Sequence, residues 1–476
     1  MPDAPLPPPD STLLPQDQVP MREKIAYALG GGAEIATSHV IGMMVYQVFS
    51  FNLQMTAATI GTVLMLFRLW DAFTDPLMGW ISDNFKSRWG RRRPFILVGA
   101  VLGSITFPLF WWAPIGFTEH QLAVWMVVTG VLFFTSYTIW SIPYQSMLLE
   151  MTPDYNERTR VAQWRAIVQN FGGGIVGWFW LLAMLWKDPE TGEGDTVLGM
   201  RYLGILCGVA FLVLGALPAF FNRERYYELA SKKRVALFRG IWDTLSNRPF
   251  QLLILIALLF VMGTQMVEQL QRFLSLFYVY EGNESGSALL AGLGSTIWIV
   301  TSVGCVPIYT KVSTHIGKRK TFMFSIAMLG VASLSKLVLF NPDYPWLMLL
   351  QGFLYGPAYS GIWLMIPTIC ADIIDDDELK TGERREGSYA AIFSNIMKLS
   401  FAFGAFAAGL VVTLSGFEEA AKAFQEPNVF PRMMLLSAYL PAGACLLAIL
   451  VLRNFPITPE TAAATRAQLE ARRGVY

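Results

Sequence analysis

Charge is what this chain has least of. Only 15% of its 476 residues are charged, where a soluble globular domain carries about 25%. The 36 basic and 35 acidic side chains leave a formal net charge of +1, which gives no positive excess with which to hold a nucleic acid. Histidine is scarce as well: His39, His120 and His315 are the full set, and they fall in no metal-ligand spacing. The four cysteines, Cys207, Cys305, Cys370 and Cys445, are scattered in or beside apolar runs, as small core residues are. Neither a Gly-rich loop ending in Lys-Ser/Thr nor a nucleophile elbow occurs. These absences argue against nucleotide hydrolysis, against enzyme chemistry and against a resident cofactor.

What the chain has in plenty is apolar surface. Hydrophobic residues make up 54% and the mean hydropathy is +0.44, which predicts an all-α polytopic membrane protein. Runs of about 20 residues, long enough to cross a bilayer, lie near 24–49, 55–80, 94–113, 121–148, 162–186, 199–221, 250–279, 288–312, 320–340, 344–371, 387–415 and 431–453. Lys and Arg gather in every second connection, from Lys86, Arg88, Arg91, Arg92 and Arg93 to Lys380, Arg384 and Arg385. By the positive-inside rule both termini are cytoplasmic. Residues 1–22 lack the basic and apolar regions of a signal peptide and read as a disordered tail; 454–476 reads as a second tail. The expected location is the plasma (inner) membrane, with the lipid bilayer as partner and a monomer as the working unit.

The longest polar connection, 222–249, divides the chain into halves of six spans each, 23–221 and 250–453. Pro143 in WSIPYQSMLLEMTPDYNER and Pro367 in LMIPTICADIIDDDELKTGER lie 224 residues apart, and Gly90-Arg91-Arg92 and Gly317-Lys318-Arg319 lie 227 apart. Two features at nearly one offset indicate duplication. Parallel halves around a midplane site are a secondary-transporter architecture.

The second span carries Arg68, Asp71 and Asp75, at i, i+3 and i+7, so on a helix all three share one face. That face must look into protein or a water-filled cavity, and an intramembrane carboxylate pair there is by default a cation or proton site. Two carboxylates one turn apart repel, which favours uptake of a proton, a Na+ ion or a guanidinium. Thr74 and Thr138 can add neutral oxygens. Other polar residues within spans nominate a cavity lining: Gly30 to Gly32 and Glu34; Ser141, Tyr144 and Gln145; Arg165 and Gln169; Glu268, Gln269 and Arg272; Trp363; and Lys398. Lys398 lies too deep to reach water and calls for a carboxylate partner, whereas Lys336 reads as a snorkelling residue, the alternative reading for Arg272 as well. The aromatic groups Trp140, Tyr144, Trp164 and Trp363 beside hydrogen-bonding side chains suit a sugar or an amphiphile equally. Asp83, just past the second span, is expected to pair with Arg91 and Arg92 in one arrangement of the halves only and so to act in gating. A channel is the weaker reading, because carboxylates on one helix facing a lysine from the other half suit alternating access better than a ring of charge.

WDAFTDPLMGWISD followed by SRWGRRRP, then SYTIWSIPYQSM, ADIIDDDE and the region of Lys398, resemble the glycoside-pentoside-hexuronide:cation symporter family of the major facilitator superfamily. The resemblance runs from about Lys24 to the end of the eleventh span and implies the twelve-helix major facilitator fold. By similarity Asp71, Thr74, Asp75 and Thr138 match the family's cation site, Arg68 its neighbouring arginine, Lys398 the lysine linking cation and sugar sites, and Arg165 and Trp363 sugar-site positions. The implied function is cation-coupled symport of a glycoside, with Na+ or H+ as the cation; the alternative is a lysolipid-like amphiphile. The chain departs from the family at Ser141 and Gln145, at Phe393, and at Thr74 where the family has Asn, while Glu34 stands at or beside the family's sugar-binding Asp. The cation half of the site is thus kept and the substrate half rewritten.

Overall fold

The boundaries between apolar runs are set by side chains that close the first helical turn. Asp195 Oδ1 accepts from Leu198 N at 2.9 Å, Asn247 Oδ1 from Phe250 N at 3.2 Å, and Asn283 Oδ1 from Gly286 N at 3.1 Å. Thr118 and Gln121 form a reciprocal capping box, and each such cap satisfies amide groups that the first turn of a helix leaves without a partner. The computed structural model describes residues 18–85, 87–152, 155–189, 192–225, 244–382, 385–418 and 425–473. Lys86, Arg384, Lys422 and most of the polar connection, 226–243, lie outside the described residues, as do residues 1–17.

The helices, in order, are α1 (Met21–Glu34), α2 (Val40–Val45), α3 (Ala57–Asn84), α4 (Arg93–Trp111), α5 (Glu119–Met151), α6 (Tyr155–Val176), α7 (Phe179–Ala183), α8 (Thr196–Phe221), α9 (Arg248–Phe273), α10 (Glu284–Ile316), α11 (Lys318–Leu334), α12 (Lys336–Leu339), α13 (Leu350–Thr381), α14 (Glu386–Leu414), α15 (Val429–Arg453) and α16 (Pro459–Arg473). Among the described residues ten helical stretches are long and apolar enough to cross a membrane. The first expected run is also helical from Met21 to Asn52, but π-helical turns at Ile35–His39 and Tyr46–Asn52 interrupt it. The fifth is divided between α6 and α7, and α6 carries Arg158, Arg160, Arg165 and Gln169, which lower its hydropathy. At the ends, α16 forms where composition suggests only a tail, and Val19 N donates to Glu157 Oε1 at 3.1 Å.

The helices before residue 226 and those after 243 form two sets. In the first, α4 packs between α5 and α8, and α1 against α6 and α8; in the second, α13 packs on α10 and α11, and α15 on α9 and α11. The sets meet along α3 and α14, where a Cβ at Gly61 would stand 2.9 Å from Ala405 O and one at Gly409 would stand 2.2 Å from Ala57 O. Only glycine lets the two backbones come this close. On the face away from the basic loops one apolar cluster draws on both sets: the Phe51 ring lies 4.9 Å from Phe273 and 5.2 Å from Phe277, both edge-on. Toward the basic loops the apolar clusters are separate, one around Trp140 and Phe211 and the other around Phe260 and Ile362. The molecule is therefore sealed on one face and parted on the other.

Candidate functional site

Along α3 the side chains of Arg68, Asp71 and Asp75 project one above another, as their spacing predicts. Arg68 Nη1 donates to Asp71 Oδ2 at 3.2 Å. Asp71 is buried, and its Oδ1 has no hydrogen-bond partner. Asp75 has different company: Thr138 Oγ1 of α5 donates to its Oδ1 at 3.0 Å, and Lys398 of α14 forms an ion pair with its Oδ2. Thr74 Oγ1 lies 3.5 Å from Thr138 Oγ1 and donates to Trp70 O at 3.0 Å. Pro76 has no amide hydrogen, so the carbonyl of Ala72 loses its helical donor beside the two carboxylates. The four residues expected at a cation site, Asp71, Thr74, Asp75 and Thr138, thus lie together with Arg68 and Lys398, the two expected to couple it, and the Asp75–Lys398 pair crosses between the two sets of helices.

A second polar cluster lies where α1 meets α6. Glu34 Oε2 accepts from Arg165 Nη2 at 2.7 Å and from Gln169 Nε2 at 2.8 Å. The glycine run makes this possible, because a Cβ at Gly31 would stand 2.8 Å from Arg165 Cγ, and one at Gly30 would stand 2.5 Å from Tyr144 Cε2. The guanidinium lies 5.2 Å from the centroid of the Tyr144 ring. Tyr144 itself stacks between Tyr27 at 4.7 Å and Trp140 at 4.6 Å, and its hydroxyl donates to Tyr27 O at 2.6 Å. Fully buried with both faces covered, Tyr144 supports Arg165 and is not presented to a ligand, which corrects the expectation from sequence. Ser141 is likewise buried, whereas Gln145, one turn on, is exposed.

From the second set come Glu268 and Trp363. Glu268 is half exposed and pairs with Arg272 at 3.0 Å; Trp363 is half buried beside Phe260 and Tyr359. Arg272 does not snorkel: Nη1 donates to Met43 O at 2.6 Å and to Gly42 O at 3.0 Å, fastening α9 to α2 across the sets. Nor does Lys336, whose side chain is fully buried.

At the basic loop Asp83 Oδ1 accepts from Arg92 Nη2 at 2.9 Å and lies 3.9 Å from Arg91 Nη1. Both arginines are buried and bind more closely to Glu150 of α5, Arg92 Nε at 2.6 Å and Arg91 Nε at 3.0 Å. Burial works against the charge of Arg91, but the Glu150 carboxylate outweighs it and holds the guanidinium above the usual arginine range. Glu224 Oε2 accepts from Arg91 N, and its Oε1 from Arg92 N and Arg93 N. Gly90, at φ +101°, makes the turn that presents these amides. The same plan recurs after α10: Gly317 at φ +85° precedes Lys318, whose Nζ donates to Asp372 at 2.7 Å. Sequence reasoning missed Glu150 and Glu224. Glu150 stood in the segment that carried the repeat, and an acid recurring there beside a basic turn was the available signal.

This arrangement, two sets of membrane-crossing helices with an acidic pair between them, is that of a secondary transporter. A family model described as MFS/sugar transport protein matches residues 26–459, and the chain belongs to that family, whose type is the glycoside-pentoside-hexuronide:cation symporter. It is 26% identical to a glucuronide carrier protein homolog of Escherichia coli (strain K12), covering 93% of each chain. It is 22% identical to the sodium-dependent lysophosphatidylcholine symporter 1-A of Danio rerio, covering 94% of this chain and 88% of that one. Among solved structures, a D-xylose-proton symporter matches with TM-score 0.60 at 15% identity, over 91% of this chain and 96% of that one; it shares the fold.

Proposed function

We propose that the protein carries a neutral glycoside across the plasma (inner) membrane together with one monovalent cation, Na+ or H+, by alternating access. In this reading the helical stretches from Met21 to Asn52 and from Tyr155 to Ala183 complete a set of twelve spans. Halves 23–221 and 250–453 are joined by 222–249 on the cytoplasmic side, where both termini lie, and the parted face opens inward.

One observation carries the reading: Asp71 Oδ1 is buried without a donor while Asp75 is bridged to Lys398 of the opposite half. An orphaned carboxylate oxygen fits a proton or a bound cation, and both lower the cost of burying it. A cation there competes with Lys398 for Asp75 and loosens the bridge between the halves, so cation and substrate favour each other's binding.

The polar cluster on α1 and α6 supports a neutral substrate. Arg165 and Gln169 already hold Glu34, so a substrate carboxylate would have to displace a carboxylate. A sugar hydroxyl can instead donate to Glu34 and accept from Arg165 at once. The glucuronide and lysophosphatidylcholine relatives define the competing substrate classes.

Proteoliposomes with an imposed Na+ or H+ gradient test the proposal, using a panel of radiolabelled neutral glycosides, glucuronides and lysophospholipids. The expected result is uphill uptake of a neutral glycoside that is lost in Asp71→Asn and Asp75→Asn, with downhill exchange retained. Accumulation that survives the double replacement would eliminate the α3 site. Uptake of lysophospholipid alone would replace the substrate class.

A further inference from the structure

His39 belongs to neither polar cluster described above, and it ends the π-helical turn Ile35–His39 that follows Glu34. Hydrogen bonds in a π-helical turn run i→i+5, so residues five apart stand about one above another, whereas on an α-helix they diverge. The turn thus brings the imidazole onto the face that carries Glu34. Thr37 Oγ1 donates to Ala33 O at 3.1 Å and Ser38 Oγ to Glu34 O at 2.9 Å, which occupies carbonyls at the start of the turn.

That face is open. His39 is exposed near the middle of the first run, and its ring makes no hydrogen bond among the described residues. Gly42, one turn on, is exposed as well, and a Cβ there would meet nothing within 4 Å. The second set of helices borders the opening, since Arg272 of α9 donates to Gly42 O at 3.0 Å and to Glu268 at 3.0 Å. The charges that act on His39 are Glu34 on its own run, Arg68 of α3 and Glu268 of α9, so the ring looks into the protein and not at lipid.

Each of those charges has its own counter-ion: Glu34 pairs with Arg165 of α6, Arg68 with Asp71, and Glu268 with Arg272. Of the helices packed on the turn, α8 carries one charged residue, Arg201, which donates to Ala113 O at 2.6 Å. The surroundings of His39 therefore sum to zero. A neutral imidazole brings one donor and one acceptor, which matches a sugar hydroxyl on both counts. To a carboxylate it offers one donor and an opposing lone pair.

We propose that His39 binds a hydroxyl of the substrate between the Glu34 cluster and the cation site, and that it sets the preference for a neutral glycoside over a uronide. The inference rests on the neutral-glycoside reading above and deepens it.

Equilibrium binding to the full-length protein in detergent, in sodium buffer at neutral pH, tests this with two matched pairs of probes. These are methyl β-D-glucoside with methyl β-D-glucuronide, and methyl β-D-galactoside with methyl β-D-galacturonide; the members of each pair differ only at C6. The wild type should prefer the uncharged member of at least one pair. His39→Leu should bind that glycoside about tenfold more weakly, while His39→Gln, which keeps a donor and an acceptor, should recover most of the loss. His39→Lys adds a fixed positive charge and should move the ratio of affinities about tenfold toward the uronide. A wild type that prefers the uronides, or binds no member of either pair, overturns the neutral-glycoside reading and this inference with it. A wild type that prefers the glycoside overturns this inference alone if His39→Leu binds as tightly, or if His39→Lys leaves the ratio unmoved. So does a His39→Gln as weak as His39→Leu, which would mean that the substitutions disturb the π-helical turn and remove no contact.

Discussion

Asp71 and Asp75 stand one turn apart on α3, yet each has its own counter-ion, Arg68 from the same helix and Lys398 from α14. That division gives the two basic residues different tasks. In the proposed cycle Arg68 moves with the carboxylates, whereas Lys398 senses the separation of the two sets of helices. Replacing Lys398 by Met leaves two carboxylates to one guanidinium, so cation affinity should rise while the effect of cation on substrate affinity falls from several-fold to none. Equilibrium binding of substrate with and without saturating cation checks this; a coupling unchanged from wild type would assign the linkage elsewhere. The charged quartet was legible in the sequence because carboxylates inside an apolar run need a partner, and the spacing of Arg68, Asp71 and Asp75 placed them on one face. Tyr144 was misread, because a tyrosine between polar residues looks the same whether its ring is free or, as here, stacked between Tyr27 and Trp140. Glu150 was overlooked because it sits at the end of a run, where acids are common, and its burial comes only from the fold of the basic loop onto it.

The elements were read more securely than their interiors. Run length fixes the existence of a helix, so ten of the twelve expected spans agree to within a few residues at most ends with stretches long and apolar enough to cross a membrane among the described residues. The π-helical turns in the first run left no mark in periodicity, since Ile35–His39 and Tyr46–Asn52 are ordinary apolar and polar mixtures. The glycines at α1 read from sequence either as cavity lining or as a means of close helix packing, and the structure shows the packing. They bring α1 against Tyr144 and Arg165, and the consequence is specific to position. Gly31→Ala places a methyl group 2.8 Å from Arg165 Cγ, so Arg165 must turn away from Glu34, and substrate affinity should fall about tenfold or more as the paired hydrogen bonds are lost. Gly42→Ala, eleven residues on, meets nothing within 4 Å and should leave affinity unchanged. Titration of both variants with substrate, followed by intrinsic tryptophan fluorescence, separates a local steric effect from a general intolerance of larger residues in the first run.

At the scale of the whole molecule, the seal and the parting lie on opposite faces, and the contact between Asp75 and Lys398 lies beside the residues that would receive the cation. Arg68 and Lys398 contribute two positive charges, and Asp71 and Asp75 contribute two negative ones. The empty site therefore sums to zero, and the site holding a proton or Na+ sums to +1. In the proposed cycle, reorientation of the empty protein moves no net charge through the bilayer, while reorientation with its passengers moves one. A membrane potential acts on one elementary charge with about 2.3 kcal/mol per 100 mV, so voltage should drive the loaded step and leave the return step untouched. Proteoliposomes adsorbed on a capacitive electrode should then show a transient current when cation and substrate are added together. The direction of that current fixes the side from which the cargo enters, and a silent electrode during measured uptake would mean that a counter-charge travels with it. On that cycle the quartet would make the protein an electrical device as well as a chemical one: a cell with a polarised membrane would accumulate the substrate even where the cation is equally concentrated on both sides.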